Sequence, residues 1–89
     1  MKTVLIEEKE QIPKYLLKAT RLLDEKAKNR TRSGLIRFSE VYRILSPFFR
    51  LTKAETWDLL VEMERFGLIR IIRHNGIKIT EEMEGGMNG

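Results

Sequence analysis

The dipeptide Asn75-Gly76, set between two runs rich in isoleucine, constrains this chain more than any other feature. Both residues tolerate a positive φ, and a two-residue type I′ turn needs that at both central positions, so Asn-Gly between apolar runs is the strongest short-range hairpin signal. The flanking runs are Leu68-Ile69-Arg70-Ile71-Ile72-Arg73-His74 and Ile77-Lys78-Ile79-Thr80. With that turn His74 pairs with Ile77, Arg73 with Lys78 and Ile72 with Ile79. Alternation then puts Ile72, His74, Ile77 and Ile79 on one face and Arg73, Lys78, Ile71 and Thr80 on the other. A lone hairpin is marginal in water, so its apolar face needs helices to pack on.

The segments before it supply them. A helix is expected from about Pro13, whose missing N–H costs nothing in a first turn. It should end near Asn29, because Arg30-Thr31-Arg32-Ser33-Gly34 reads as a loop. Leu16, Ala19, Leu23 and Ala27 fall at helical spacing, and Tyr15, Leu17 and Leu22 widen the apolar stripe beyond one intramolecular face. Leu35-Ile36-Arg37-Phe38 follows as a short strand. Ser39 reads as an N-cap with Glu40 in the first turn, opening a second helix to about Leu45, where Pro47 ends or kinks it. Val41, Ile44 and Leu45 form its core side. The third helix opens on a capping box, Thr52-Lys53-Ala54-Glu55, and runs to Phe66 with Gly67 as the C′ residue. Thr56, Leu59, Leu60, Met63 and Phe66 make its buried stripe. Residues 3–6 read equally as a short strand or a helical lead-in. The domain organisation is an N-terminal segment over 1–12, one domain over 13–82, and a Gly-rich, disordered tail over 83–89.

With 89 residues the chain is one domain. It has no cysteine, which removes disulfides and cysteine-based metal sites and suits a reducing cytoplasm. No apolar run approaches the roughly 18 residues of a membrane span, and the apolar start is too short for a secretion signal. A charged fraction of 34% with a single glutamine resembles thermophile usage. No phosphate-binding Gly-Lys-Ser/Thr loop, Cys–His pair or convergent carboxylate set is present, so neither an enzyme nor a cofactor is expected. Glu7, Glu8 and Glu10 read as a solvent-facing run, and His74, the one histidine, cannot build a metal site alone. The net charge of +4 is uneven: residues 12–50 carry ten Lys/Arg against three acids, and residues 81–89 carry three Glu and no base. A basic middle suits a polyanion such as nucleic acid, or equally a solvated, charge-rich surface.

Helix, short strand, helix, helix, hairpin is an order that resembles a winged helix-turn-helix domain. Residues 59–80 are similar in particular to the MarR- and ArsR-type regulators, whose third helix ends in Leu-x-x-x-Gly-Leu-Ile before a wing and an Ile-Thr close. Here that run stands as Met63-Glu64-Arg65-Phe66-Gly67-Leu68-Ile69, then Arg70 to Gly76, then Ile77-Lys78-Ile79-Thr80. Ile36-Arg37-Phe38-Ser39-Glu40-Val41 resembles the strand-to-helix entry of such domains. The resemblance covers roughly residues 13–82. It implies an α+β fold, with a three-helix core, a C-terminal β-hairpin wing and a short strand before the second helix. It also implies double-stranded DNA as the partner, a role in transcription regulation, and a third helix that enters the major groove.

On that reading the DNA-contacting candidates are Arg37, Ser39, Arg43, Lys53, Trp57, Arg70, Arg73, His74, Asn75 and Lys78. The wing residues Arg73, His74 and Lys78 would straddle phosphates, or else form a solvated hairpin tip. The third helix fits base reading poorly. Its outward residues are Lys53, Ala54, Trp57, Asp58, Val61, Glu62 and Arg65, whereas groove readers are usually Arg, Lys, Asn, Gln, Ser or Thr. The apolar strip Ala54-Trp57-Val61 is of a kind that more often buries against protein, so a winged-helix protein-interaction module docking through it is the alternative. A rotated helix is also open, with Trp57, Leu60, Val61 and Glu64 as the buried stripe. The over-wide stripe of the first helix suggests a homodimer formed through it.

Overall fold

The structure, a computed structural model, describes residues 12–80. It is an α+β arrangement in which three helices pack on one face of a three-stranded antiparallel sheet. The elements in chain order are α1 (Lys14–Lys26), β1 (Ile36–Arg37), α2 (Phe38–Phe49), α3 (Lys53–Arg65), β2 (Ile69–Ile72) and β3 (Gly76–Ile79), and the strands lie in the order β1-β3-β2. The expectations for residues 3–6, for Glu7, Glu8 and Glu10, and for the tail at 83–89 lie outside the described residues. Among the described residues no helix is long and apolar enough to cross a membrane.

Leu16, Ala19, Leu23 and Ala27 are all buried, as their spacing requires. α1 stops at Lys26, short of Asn29, because Arg30 folds back over its last turn. The Arg30 guanidinium donates to the carbonyls of Ala27 (3.3 Å) and Asp24, and pairs with the Asp24 carboxylate at 2.8 Å. A cation on exposed C-terminal carbonyls stabilises a helix end.

α2 begins two residues earlier than a Ser39 cap would have it. Arg37 is the N-cap residue, in an extended conformation and without a side-chain cap, and Ser39 lies exposed in the first turn. The pairing of β1 with β3 decides this: Arg37 must stay extended opposite Gly76, and the helix starts as soon as that pairing ends. Nor does Pro47 end the helix, which runs on to Phe49 with the proline in its last turn. Termination comes at Arg50, in the left-handed region at φ 57, where Arg50 N–H donates to Pro47 O (3.3 Å) and Leu51 N–H to Ser46 O (2.9 Å). This is the Schellman pattern, usually built on glycine.

α3 follows its local signals. The capping box is complete, with Glu55 N–H donating to Thr52 Oγ1 (3.1 Å) and Thr52 N–H to Glu55 Oε1 (2.8 Å). Gly67, at φ 79, closes the helix with the same pattern as Arg50: Gly67 N–H to Glu64 O and Leu68 N–H to Met63 O, each at 2.9 Å. Thr56, Leu59, Leu60 and Met63 are buried, and Trp57 faces outward, so the helix is not rotated towards the alternative stripe. Phe66 departs from the expected stripe. It is the C-cap residue, where the chain leaves the helix, and it is exposed.

The hairpin exists, but its register is different. Ile69 pairs with Ile79, Arg70 with Lys78, Ile71 with Ile77 and Ile72 with Gly76. Arg73, His74 and Asn75 form the loop, closed by Asn75 N–H to Ile72 O at 3.0 Å, and the positive φ (67°) falls on His74, not on Asn75 or Gly76. An odd slip exchanges the faces of one strand relative to the other. In this register Ile69, Ile71, Ile77 and Ile79 face the helices together with Ile36, whereas the type I′ register would have put His74 into that row. Gly76 is also needed elsewhere: a Cβ there would strike the Ile36 carbonyl oxygen and come within 2.8 Å of Arg37 Cα. The glycine therefore serves the close approach of β1 to β3, and core complementarity overrides turn propensity.

Candidate nucleic-acid interface

Strand alternation assigns the outer face of the sheet. With Ile36, Ile69, Ile71, Ile77 and Ile79 inward, Arg37, Arg70, Ile72 and Lys78 point away from the helices. Arg37 and Ile72 flank Gly76 from either side, next to the hairpin loop. Arg70 and Lys78 are direct cross-strand partners two residues further from the loop. Like charges placed so destabilise a sheet. Among the described residues none of Arg37, Arg70, Arg73 and Lys78 has an acidic partner within 4.0 Å. Arg73, His74 and Asn75 are exposed at the loop, beyond the Arg37 end of this face.

Phe38 carries the surface from the sheet to α3. It follows Arg37 directly, its ring lies 5.9 Å from that of Trp57 in an edge-on contact, and it stacks on Tyr42 at 6.4 Å. Trp57 remains 40% exposed, so it is neither a core residue nor free of the fold. Arg37 and Trp57 are thus joined through Phe38, and Arg73, His74 and Asn75 lie in the loop next to the Arg37 end of the sheet. Phe38 and Tyr42 carried no signal of their own in the sequence, where Phe38 reads as the end of a strand.

The remaining candidates lie apart. Lys53 is exposed at the first position of α3, and Ser39 in the first turn of α2. Arg43 is committed to Glu40 by an ion pair of 2.7 Å. Glu40 is only 8% exposed. Its hydrogen bond to Arg43 holds its carboxyl below the usual value of 4.5, against the opposing effect of burial and helped by the charge of Arg43 and the Lys28 backbone amide.

The outer face of α3 has the opposite sign. Glu55, Asp58, Glu62 and Glu64 outnumber Lys53 and Arg65 along the helix. Glu62 accepts a 2.6 Å hydrogen bond from the Tyr15 hydroxyl, which together with burial and the carboxylate charge raises the Tyr15 pKa above its usual 10.0. Glu64 accepts from the Ile71 N–H at 2.9 Å and so satisfies a donor on the edge of β2. Among the described residues no three acidic or histidine side chains cluster so as to hold a metal ion.

Comparison with protein-family models, with curated proteins and with solved structures returns no match for this chain.

Proposed function

We propose that the chain is a winged helix-turn-helix domain that binds duplex DNA and acts in transcription regulation, with the hairpin as its wing. One observation carries this reading: a face built from β1, β2, β3 and the hairpin loop holds Arg37, Arg70, Arg73 and Lys78 with no acidic partner among the described residues. Unpaired cations of this kind neutralise phosphates and release counterions. The contact with the duplex is led by the sheet and loop. α3 contributes through Trp57 at its edge, because its acidic outer face would repel phosphates along most of its length.

The test is a titration of short duplex DNA into the full chain at several salt concentrations, read through the single Trp57. Binding that weakens steeply as salt rises, with Trp57 emission quenched or blue-shifted, supports the reading. Undetectable binding at low salt, or an affinity flat in salt, refutes it.

A second reading has its own observation. Ala54 and Trp57 are exposed and Val61 half-buried, one turn apart on α3 and bordered by Asp58 and Glu62. An apolar strip with an acidic border suits a protein partner carrying basic residues.

A further inference from the structure

The loop between α1 and β1 is a built element. Thr31 N–H donates to Leu35 O (3.0 Å), Gly34 N–H to Thr31 O (2.9 Å) and Leu35 N–H to Thr31 Oγ1 (3.0 Å), with Gly34 at a φ of 90° closing the turn. Arg30 secures its start on α1. Arg32 and Ser33 are exposed at the tip of this rigid turn. There they line an open cleft of about 780 Å³ together with Arg70, Lys78, Glu64 and Thr80. Three cations converge on the cleft without acidic partners among the described residues, while Glu64, the single acid, is occupied by the Ile71 amide. Arg70 and Lys78 stand directly opposite one another, and a third cation is held beside them by a turn with at least three hydrogen bonds. Such an arrangement costs stability in the free protein, and the cost is recovered when an anion sits between the charges.

We propose that this cleft binds a multiply charged phosphate group, with Arg32 as the residue that completes the site. The inference rests in part on the DNA reading, since Arg70 and Lys78 also belong to the outer sheet face, but Arg32 lies outside the candidates for that contact. The ligand chemistry is phosphate, and its source is either the backbone of a bound duplex or a free polyphosphate or nucleotide.

The test is an amide NMR titration of the isotope-labelled full chain at low salt, with tripolyphosphate as one probe and a short duplex as the other. It uses wild type, Arg32→Gln and, as a control for net charge, Arg21→Gln on the exposed side of α1. Tripolyphosphate is expected to move the amides of residues 32–34, 70, 78 and 80. Arg32→Gln should weaken it about tenfold, the loss expected for a charge-assisted hydrogen bond, and Arg21→Gln less than about twofold. Shifts spread over all basic segments, equal weakening by the two variants, or no binding overturn the proposal. Duplex that moves the same amides and is displaced by tripolyphosphate supports the cleft with backbone phosphate as its ligand. Duplex that moves only the hairpin loop and residues 37–42 and 57, with tripolyphosphate still in the cleft, supports it with a free anion as ligand. Tripolyphosphate in the cleft with no duplex binding anywhere refutes the DNA reading and leaves the cleft standing.

Discussion

The outer face of the sheet and the outer face of α3 meet at Phe38, yet they are built on opposite principles. On the sheet, Arg37 is brought beside the cross-strand pair Arg70 and Lys78 by pairing between segments some forty residues apart in the chain, and among the described residues none of the three has an acidic partner within 4.0 Å. On α3 the acids Glu55, Asp58, Glu62 and Glu64 lie within one helix, and three of them have structural tasks: the capping box, the Tyr15 hydroxyl and the Ile71 amide. The acidic residues thus hold the fold together, while the basic ones cost it stability. Charge that costs stability is better evidence for a binding surface than charge that serves it.

The largest expected effect tests whether the basic face depends on the approach of β1 to β3. Gly76→Ala should already destabilise the domain by about 3 kcal/mol or more, since a Cβ there meets backbone that no rotamer can move. Gly76→Asn should cost at least as much, although asparagine tolerates a positive φ. His74→Gly should be neutral or stabilising, because His74 holds the positive φ of the loop. Thermal or denaturant unfolding reads all three. Tolerance of Gly76→Asn with a loss in His74→Gly would restore the two-residue turn and dissolve the basic outer face.

What could be read from the chain follows the same division. α3 was legible to within one residue at its end, because Thr52, Glu55 and Gly67 act within a turn of where they stand. The hairpin was legible as a hairpin but not in register, because Ile36 settles it from across the sheet, and a strand of two residues sends no periodic signal. Ser39 misled for a related reason: a good cap residue is overruled when a strand ends two residues before it and the helix starts at once. The cations of the site were legible as cations, whereas their sharing of a face was not. Once Ile72 pairs with Gly76, Arg70 and Lys78 become neighbours and Arg73 moves into the loop. Arg32 looked like one base among several in a loop, and only the folded turn sets it apart from Arg30.

Next in size is the contrast in charge itself. Removing two cations from the sheet side with Arg73→Ala and Lys78→Ala should weaken duplex binding for all sequences alike. The salt slope should fall by about one for each phosphate that is no longer neutralised. Neutralising α3 with Asp58→Asn and Glu62→Gln should leave duplex binding unchanged or slightly tighter. If the α3 pair weakens binding as much as the sheet pair, the two faces do not differ in role, and α3 is a reader despite its charge.

A smaller effect is expected at the junction. Trp57→Ala removes a half-exposed ring and its edge contact with Phe38, and should cost about 1–2 kcal/mol, less than the roughly 3–5 kcal/mol of a core aromatic. Iodide should quench the wild-type emission partially. A core-sized loss would place Trp57 in the interior and remove the apolar strip as a docking surface. Acid adds a related check through Glu40. Its pKa is lowered on folding, so its contribution is present above about pH 4.5 and is lost as the pH falls through the folded value. A Glu40→Gln variant should lack that part of the acid sensitivity.

The smallest effect concerns the two helix ends that share one hydrogen-bond pattern. At the end of α3 the left-handed residue is Gly67, which adopts φ 79 without strain; at the end of α2 it is Arg50, which adopts φ 57 at the usual expense of a Cβ in that region. Arg50→Gly should relieve that strain and raise stability by up to about 1 kcal/mol, reduced by the extra backbone freedom that glycine gives the unfolded chain. Gly67→Ala should shift stability by a similar amount in the other direction, and the pair of melting temperatures measures the difference between the two ends. Arg50 opens the turn into α3 and lies outside the sheet face, so its removal should leave duplex affinity unchanged at fixed salt. Should affinity fall while stability rises, the arginine is kept in a strained conformation for the sake of a phosphate. The basic surface would then extend across the turn to the start of α3, and its boundary would no longer lie at Phe38.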